Sequence, residues 1–258
     1  MVVLMSDTLE SEANLVFSRI ADLLSRDTTF NFQLSFEYGV AEKLSKDSDI
    51  QLTIAQAQAL MLKKKLFSHG YAEASIVESL QRALRESSFE TEQHSIRVRD
   101  LCVKIAEQLR LPQEQYEDLE RLALFHDIGK LSVPPELLSK PEKLTEDESQ
   151  IMMLHTINGS KVAQASKELA GIARGILCHH EHWDGTGYPN GFAGEQIPYH
   201  ARIVAVADAY DVMTHDRPWM AAMSSEVAVE RIRAQAGRQF DPAVVKAFSQ
   251  ISFANFQK

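Results

Sequence analysis

Imidazole and carboxylate side chains recur along this chain where their neighbours are apolar. His179-His180-Glu181 leads into Trp183 and the run Asp184-Gly185-Thr186-Gly187-Tyr188-Pro189. Asp208 follows Ile203-Val204-Ala205-Val206-Ala207, and His126-Asp127 ends the apolar run Leu122-Ala123-Leu124-Phe125. A buried ionisable group is costly unless it pairs with another or coordinates a cation. A fold that buries these segments must therefore bring their charged tips together. Mixed imidazole and carboxylate donors suit iron, manganese or zinc, and more than four of them suggests more than one ion.

The candidate ligands, in chain order, are Glu90, His94, His126, Asp127, His155, His179, His180 and Asp208. Glu90 and His94 stand four apart and share a face if a helix begins by Glu90. His69, His182, His200 and His215 are read as ordinary histidines, His182 being the one that adjoins the cluster.

Hydrophobic periodicity makes the fold all-α. From residue 86 onward helices are expected near 92–109, 113–126, 146–157, 159–168, 171–182, 201–214, 225–236 and 241–250. Thr145 with Glu148 forms a capping box, Asp241-Pro242 opens the last helix, and 183–200 is a Gly- and Pro-rich loop. Residues 1–85 read as a smaller, mainly helical regulatory or dimerisation domain, with Leu15, Phe17, Ile20, Leu23 and Leu24 on a helical period. Phe30, Phe32, Leu34 and Phe36 alternate as a short extended piece would, and 71–86 suits a connecting helix. The division expected is 1–85 and 86–258.

Composition excludes several classes. A net charge of −9 argues against a nucleic-acid polymer as partner, though bound divalent ions would still admit a small phosphorylated ligand. Cys102 and Cys178 make no disulfide framework and read as reduced, buried thiols. No window is long and apolar enough for a transmembrane helix, so a cytoplasmic, membrane-free protein is expected.

His126-Asp127-Ile128-Gly129-Lys130, followed by His179 through Pro189, resembles the HD-GYP branch of the HD-domain phosphohydrolases. The likeness covers about residues 88–250, including Arg97-Val98 and the stretch Ala205 to Asp211. It implies an HD-domain helical bundle that hydrolyses cyclic di-GMP to pGpG, and on to GMP, by water activated between metal ions. It implies two or three divalent ions, iron first and manganese second, held by His94, His126, Asp127, His155, His179, His180 and Asp208. Asp127 would bridge two ions and Glu90 would match the carboxylate of three-metal members. Lys130 would contact the scissile phosphate, and Tyr188 and Arg217 the rest of the dinucleotide. Where the family has a basic residue after Asp216-Arg217-Pro218-Trp219, this chain has Met220, which opens substrate choice to 3′,3′-cyclic GMP-AMP. The competing reading is a slow or inactive cyclic-dinucleotide sensor. A homodimer, and protein partners at the N-terminal domain or Gly-Tyr-Pro loop, complete the expectations.

Overall fold

Apolar periodicity of 3.6 residues, broken by Pro, Gly and capping side chains, becomes a series of helices in the computed structural model. It describes residues 3, 5, 6, 8–25, 38–43, 50, 53, 54, 57, 61, 92–217 and 220–253. The chain divides into two compact units, Met1–Leu80 and Gln81–Lys258. The alternating 30–36 segment, the connecting helix over 71–86, the 85/86 boundary and Glu90 lie outside the described residues.

In the first unit, α1 (Glu10–Ser25) is the principal described helix. The Tyr38 hydroxyl donates to the Asn14 carbonyl at 3.3 Å, and the Phe17 and Tyr38 rings stack at 5.4 Å.

The second unit holds α2 (Glu92–Leu109), α3 (Tyr116–Phe125), α4 (Pro135–Leu138), α5 (Glu146–Gln164), α6 (Ala173–Cys178), α7 (Tyr199–Thr214), α8 (Ser225–Ala234) and α9 (Pro242–Phe248). No β-strand occurs among the described residues. Helix ends follow local chemistry. The capping box opens α5: the Thr145 backbone N–H donates to the Glu148 carboxylate at 2.8 Å, and the Glu148 N–H to the Thr145 hydroxyl at 3.3 Å. Asp241 accepts from the Ala243 N–H at 2.8 Å, with Pro242 at the first helical position. Arg110, at φ 55°, closes α2 ahead of Leu111-Pro112.

Helix α7 lies at the centre of this unit, packing on α2, α3, α6, α8 and α9. Packed on most sides, it buries Ala201, Ile203, Val204, Val206, Ala207, Tyr210 and Asp211, and turns Ala205, Asp208, Ala209, Val212 and Met213 toward a cavity. Each large side chain fully buried around it, such as Phe125, Leu101, Ile105, Leu122 and Phe248, contributes about 1.5–3 kcal/mol.

Two helix boundaries differ from expectation. The segment read as 146–157 and 159–168 is one helix, α5, running through Asn158-Gly159. A mid-helix glycine costs about 1 kcal/mol relative to alanine, but here it makes room. A Cβ at Gly159 would come within 3.0 Å of the Gly129 nitrogen and 2.9 Å of Ile176 Cγ2. Conversely, a Cβ at Gly129 would meet the His155 carbonyl at 1.8 Å. The 3₁₀ turn Ile128–Ser132 is thus pressed onto α5, and the Asn158 amide donates to the Ser132 hydroxyl at 2.9 Å. The segment read as 171–182 is helical only over Ala173–Cys178, after a 3₁₀ turn at Ala170–Ile172. His179 and His180 therefore follow a helix end, where the Ile176 carbonyl is taken by the His179 ring at 2.7 Å.

Gly129→Ala is expected to force the turn off α5, because the obstructing atoms are backbone. Overpacking of this kind costs about 3 kcal/mol, which lowers the melting temperature by about 6–12 °C for a unit of this size. Thermal unfolding followed by circular dichroism measures it; an unchanged midpoint would refute the close approach.

Candidate metal centre

Five helices or helix ends deliver the charged side chains to one place. His94 comes from α2, His126 and Asp127 from the end of α3, His155 from α5, His179 and His180 from the end of α6, and Asp208 from α7. His94, His126, His155 and His179 are each at most 1% exposed.

What fixes the imidazoles is a repeated backbone contact. The Nδ1 of His126, His155 and His179 lies 2.8, 2.7 and 2.7 Å from the carbonyl three residues earlier, Ala123, Met152 and Ile176 respectively. A carbonyl only accepts, so each Nδ1 carries the proton and each Nε2 presents a lone pair to the centre. His94 reaches the same state differently, donating Nδ1–H to Asp211 at 2.6 Å. A second group orienting a histidine through its other nitrogen is the usual accompaniment of metal ligation.

The lone pairs converge on Asp127. Its Oδ2 is 3.1 Å from His126 Nε2, and its Oδ1 is 3.3 Å from His155 Nε2 and 3.8 Å from His179 Nε2. Asp208 Oδ1 is 3.4 Å from His94 Nε2 and 3.8 Å from His126 Nε2. Two donor groups result, Asp127-His155-His179-His180 and His94-His126-Asp127, each with ligand atoms within 4.8 Å of one another and sharing Asp127. His94 Nε2, His126 Nε2 and Asp127 Oδ1 are buried without a hydrogen-bond partner. The Nε2 atoms of His155 and His179 face each other at 3.3 Å. With both protons already on Nδ1, neither can donate, so this approach is repulsive unless a cation lies between them. The residues fit divalent metal ions.

Electrostatics agree at His155 and His180. Burial pushes the His155 imidazole down to about 3 and holds His180 well below the ordinary histidine value, keeping both neutral as ligands must be. His126 moves up to about 9: burial opposes the shift, but Asp127 and Asp208 attract positive charge. The same negative potential awaits a metal ion. Asp127 stays ionised far below the carboxylate range, because Lys130 and His126 outweigh its burial.

Lys130 Nζ pairs with Asp127 Oδ2 at 2.8 Å. The Tyr188 ring lies 5.0 Å from that of His180, and burial raises its hydroxyl pKa. Arg217 Nη2 is 3.1 Å from His94 Nδ1 and 3.5 Å from Asp211. His182, set aside in the sequence, bonds Thr186 at 3.0 Å outside both donor groups. Asp211 had no assigned role in the sequence; buried, it takes His94 Nδ1–H, Arg97 Nε and Nη2 at 2.5 and 2.9 Å, and His215 Nδ1 at 3.2 Å. Its signal was legible, since it stands three residues after Asp208 on an apolar helix. The Cys102 and Cys178 thiols are free and buried, as expected.

His155, His179, His180, Asp208, Lys130, Tyr188 and Arg217 line a cavity of about 1350 Å³ that also includes Lys140, Lys143, Met220 and Arg231. Six cationic and four acidic residues line it, in a chain of net charge −9.

A family profile described as HD domain matches residues 78–244. The cyclic di-GMP phosphodiesterase response regulator RpfG of Xanthomonas campestris pv. campestris is 38% identical over 196 residues, covering 74% of this chain and 52% of that protein. The 3′3′-cGAMP-specific phosphodiesterase 2 of Vibrio cholerae is 35% identical over 173 residues, covering 66% of this chain and 33% of that protein. The chain thus spans about half the length of the first relative and a third of the second. Among solved structures, the HDG"Y"P protein Bd1817 of Bdellovibrio bacteriovorus matches with a TM-score of 0.54 at 16% identity, covering 95% of this chain and 80% of that one, a likeness of fold. With its His126-Asp127 pair, its converging imidazoles and its Gly187-Tyr188-Pro189 loop, the chain belongs to the HD-domain family, in the HD-GYP branch.

Proposed function

We propose that residues 86–258 form a metal-dependent phosphodiesterase that hydrolyses cyclic di-GMP to pGpG and on to GMP. The observation that carries this reading is the pair of donor groups sharing Asp127 beside a cavity whose lining is more basic than the chain. The names of the relatives support the substrate class, and the cavity volume of about 1350 Å³ accommodates a ligand larger than drug-sized. One ion would be held by Asp127, His155, His179 and His180, and another by His94, His126, Asp127 and Asp208; a third would use Glu90. Iron, with manganese as substitute, suits this donor set. When bound, such ions lower the pKa of water and draw charge from phosphoryl oxygens.

The chain's own residues do the rest. The carbonyls of Ala123, Met152 and Ile176 hold three imidazoles in the ligating tautomer, and Asp211 does so for His94. Lys130, tethered to Asp127, places its positive charge beside the scissile phosphate, where developing negative charge needs it. Tyr188 and Arg217 face the dinucleotide. A second reading, hydrolysis of 3′,3′-cyclic GMP-AMP, is favoured by the Vibrio relative's name and by Met220 lining the cavity. Residues 1–85 we assign to regulation or dimerisation, a role that suits the exposed apolar Leu9, Leu15 and Leu23. No described helix is long and apolar enough to cross a membrane, and a cytoplasmic location, with partners docking at the N-terminal domain or the Gly-Tyr-Pro loop, completes the proposal.

The deciding experiment is anaerobic purification with metal analysis, then chromatography of the products from cyclic di-GMP and from cyclic GMP-AMP. Metal-loaded protein that leaves both intact would defeat the phosphodiesterase reading. Asp127→Ala is expected to lose metal from both sites and to slow turnover by at least about three orders of magnitude, equivalent to ~4 kcal/mol; full metal content with normal turnover would remove Asp127 from its role.

Asp211→Asn keeps the shape but weakens the grip on His94, so metal affinity should fall about 10–100-fold, read by titration against a competing chelator. Met220→Lys should lower the Michaelis constant for cyclic di-GMP by up to about tenfold at low salt, with turnover number nearly constant because the contact is made in ground and transition states alike. The gain should fade as salt rises; no gain at low salt would mean position 220 does not meet phosphate.

A further inference from the structure

We propose that Glu181 is a positioning residue that latches the Gly-Tyr-Pro loop onto the metal centre and so sets substrate affinity, an inference that rests on the reading of Tyr188 as a dinucleotide contact. Glu181 adjoins the ligand pair His179-His180, is only 3% exposed, and falls outside both donor groups. A carboxylate in that place needs partners. It finds them in the loop: Oε1 accepts the Asn190 N–H at 2.8 Å, and Oε2 accepts the Phe192 N–H at 3.1 Å. Charge-assisted bonds to backbone are among the strong ones. With a loop N–H on each oxygen, Glu181 is arranged to fasten the backbone rather than to take a proton from water.

The loop is fastened again just upstream. The Tyr188 N–H donates to the His180 carbonyl at 3.2 Å. A Cβ on Gly187 would meet the His182 nitrogen at 2.2 Å and the His180 carbonyl at 2.5 Å, so only glycine lets the loop lie on this backbone. Tyr188 is therefore tied to residue 180 by its own N–H, and the chain just after it is tied through the Glu181 carboxylate. Beyond them, Phe192 packs on the Cys178, Ile197 and Ala201 cluster. The position of the Tyr188 ring, 5.0 Å from His180, is thus tied to the backbone that carries two metal ligands. Loosening the second attachment frees the ring without removing a ligand.

The test is Glu181→Gln in the full, metal-loaded chain. Gln matches the volume but turns an N–H donor toward one of the two loop amides, so one latch bond is lost. Three readouts are taken together: metal content, amide hydrogen exchange at Asn190 and Phe192, and steady-state kinetics with cyclic di-GMP and with bis(p-nitrophenyl) phosphate. The second substrate has a single phosphodiester and no second nucleotide for Tyr188 to hold. Metal content should equal wild type, and exchange at 190 and 192 should rise at least about tenfold as the opening free energy falls. The Michaelis constant for cyclic di-GMP should rise by about tenfold, several times more than for the small ester, while its turnover number changes by less than about threefold. Loss of metal with unchanged exchange would assign Glu181 to the centre and overturn the latch. Faster exchange with an unchanged Michaelis constant for cyclic di-GMP would equally overturn its role in affinity. Wild-type protein that cleaves the small ester but leaves cyclic di-GMP intact would instead sink the substrate reading, and exchange in the same samples would still decide the latch.

Discussion

The architecture depends on one buried carboxylate and the four imidazoles turned toward it or its partner Asp208. Asp127 is 7% exposed, faces His126, His155 and His179 within 3.8 Å, and has one oxygen without a hydrogen-bond partner. An arrangement of inward lone pairs and negative charge is unfavourable in a low-dielectric interior. Its cost is offset by cations: Lys130 on one side and, when bound, metal in the centre. Stability and metal binding are consequently coupled, since the groups that fit a metal ion are the same groups that the fold has to neutralise.

The backbone carbonyls are the less obvious half of this design. Three ligand histidines use the carbonyl three residues earlier, a distance that brings the ring back over the preceding turn of its own helix or helix end. The tautomer is thereby set by a contact within the local backbone. His94, in the first described turn of α2, depends instead on Asp211, supplied by α7 from 117 residues away in sequence. Asp211 also gathers Arg97, His215 and Arg217. The centre is thus supported locally on the side of Asp127 and by tertiary contact on the side of Asp208.

Close backbone packing makes this convergence possible. The Gly129–Gly159 contact brings the turn after Asp127 to the level of His155, and the Gly187 contact lays the loop on His180. Neither was legible in the chain: Asn158-Gly159 reads as a break, and the glycines of 183–194 read as ordinary loop residues. Local propensity disfavours a glycine inside a helix, and only the opposing backbone explains why α5 continues through it.

The sequence by itself determined the helical class and most helix starts and stops, and it singled out seven imidazoles and carboxylates that the fold brings together, His94, His126, Asp127, His155, His179, His180 and Asp208. Those follow from apolar period, capping side chains and the high cost of burying charge. The end of α6 was misjudged because polar and apolar residues keep a helical spacing past Cys178, while the backbone turns there and the Glu181 N–H bonds the Cys178 carbonyl. What only the tertiary structure decided was the partition of ligands into two groups around Asp127, the support of His94 by Asp211, and the fastening of the loop by Glu181. Spacing along a chain says which side chains must be neutralised; which atoms meet depends on how helices distant in sequence pack, and that is set by side-chain volume and the glycines that admit backbone to backbone.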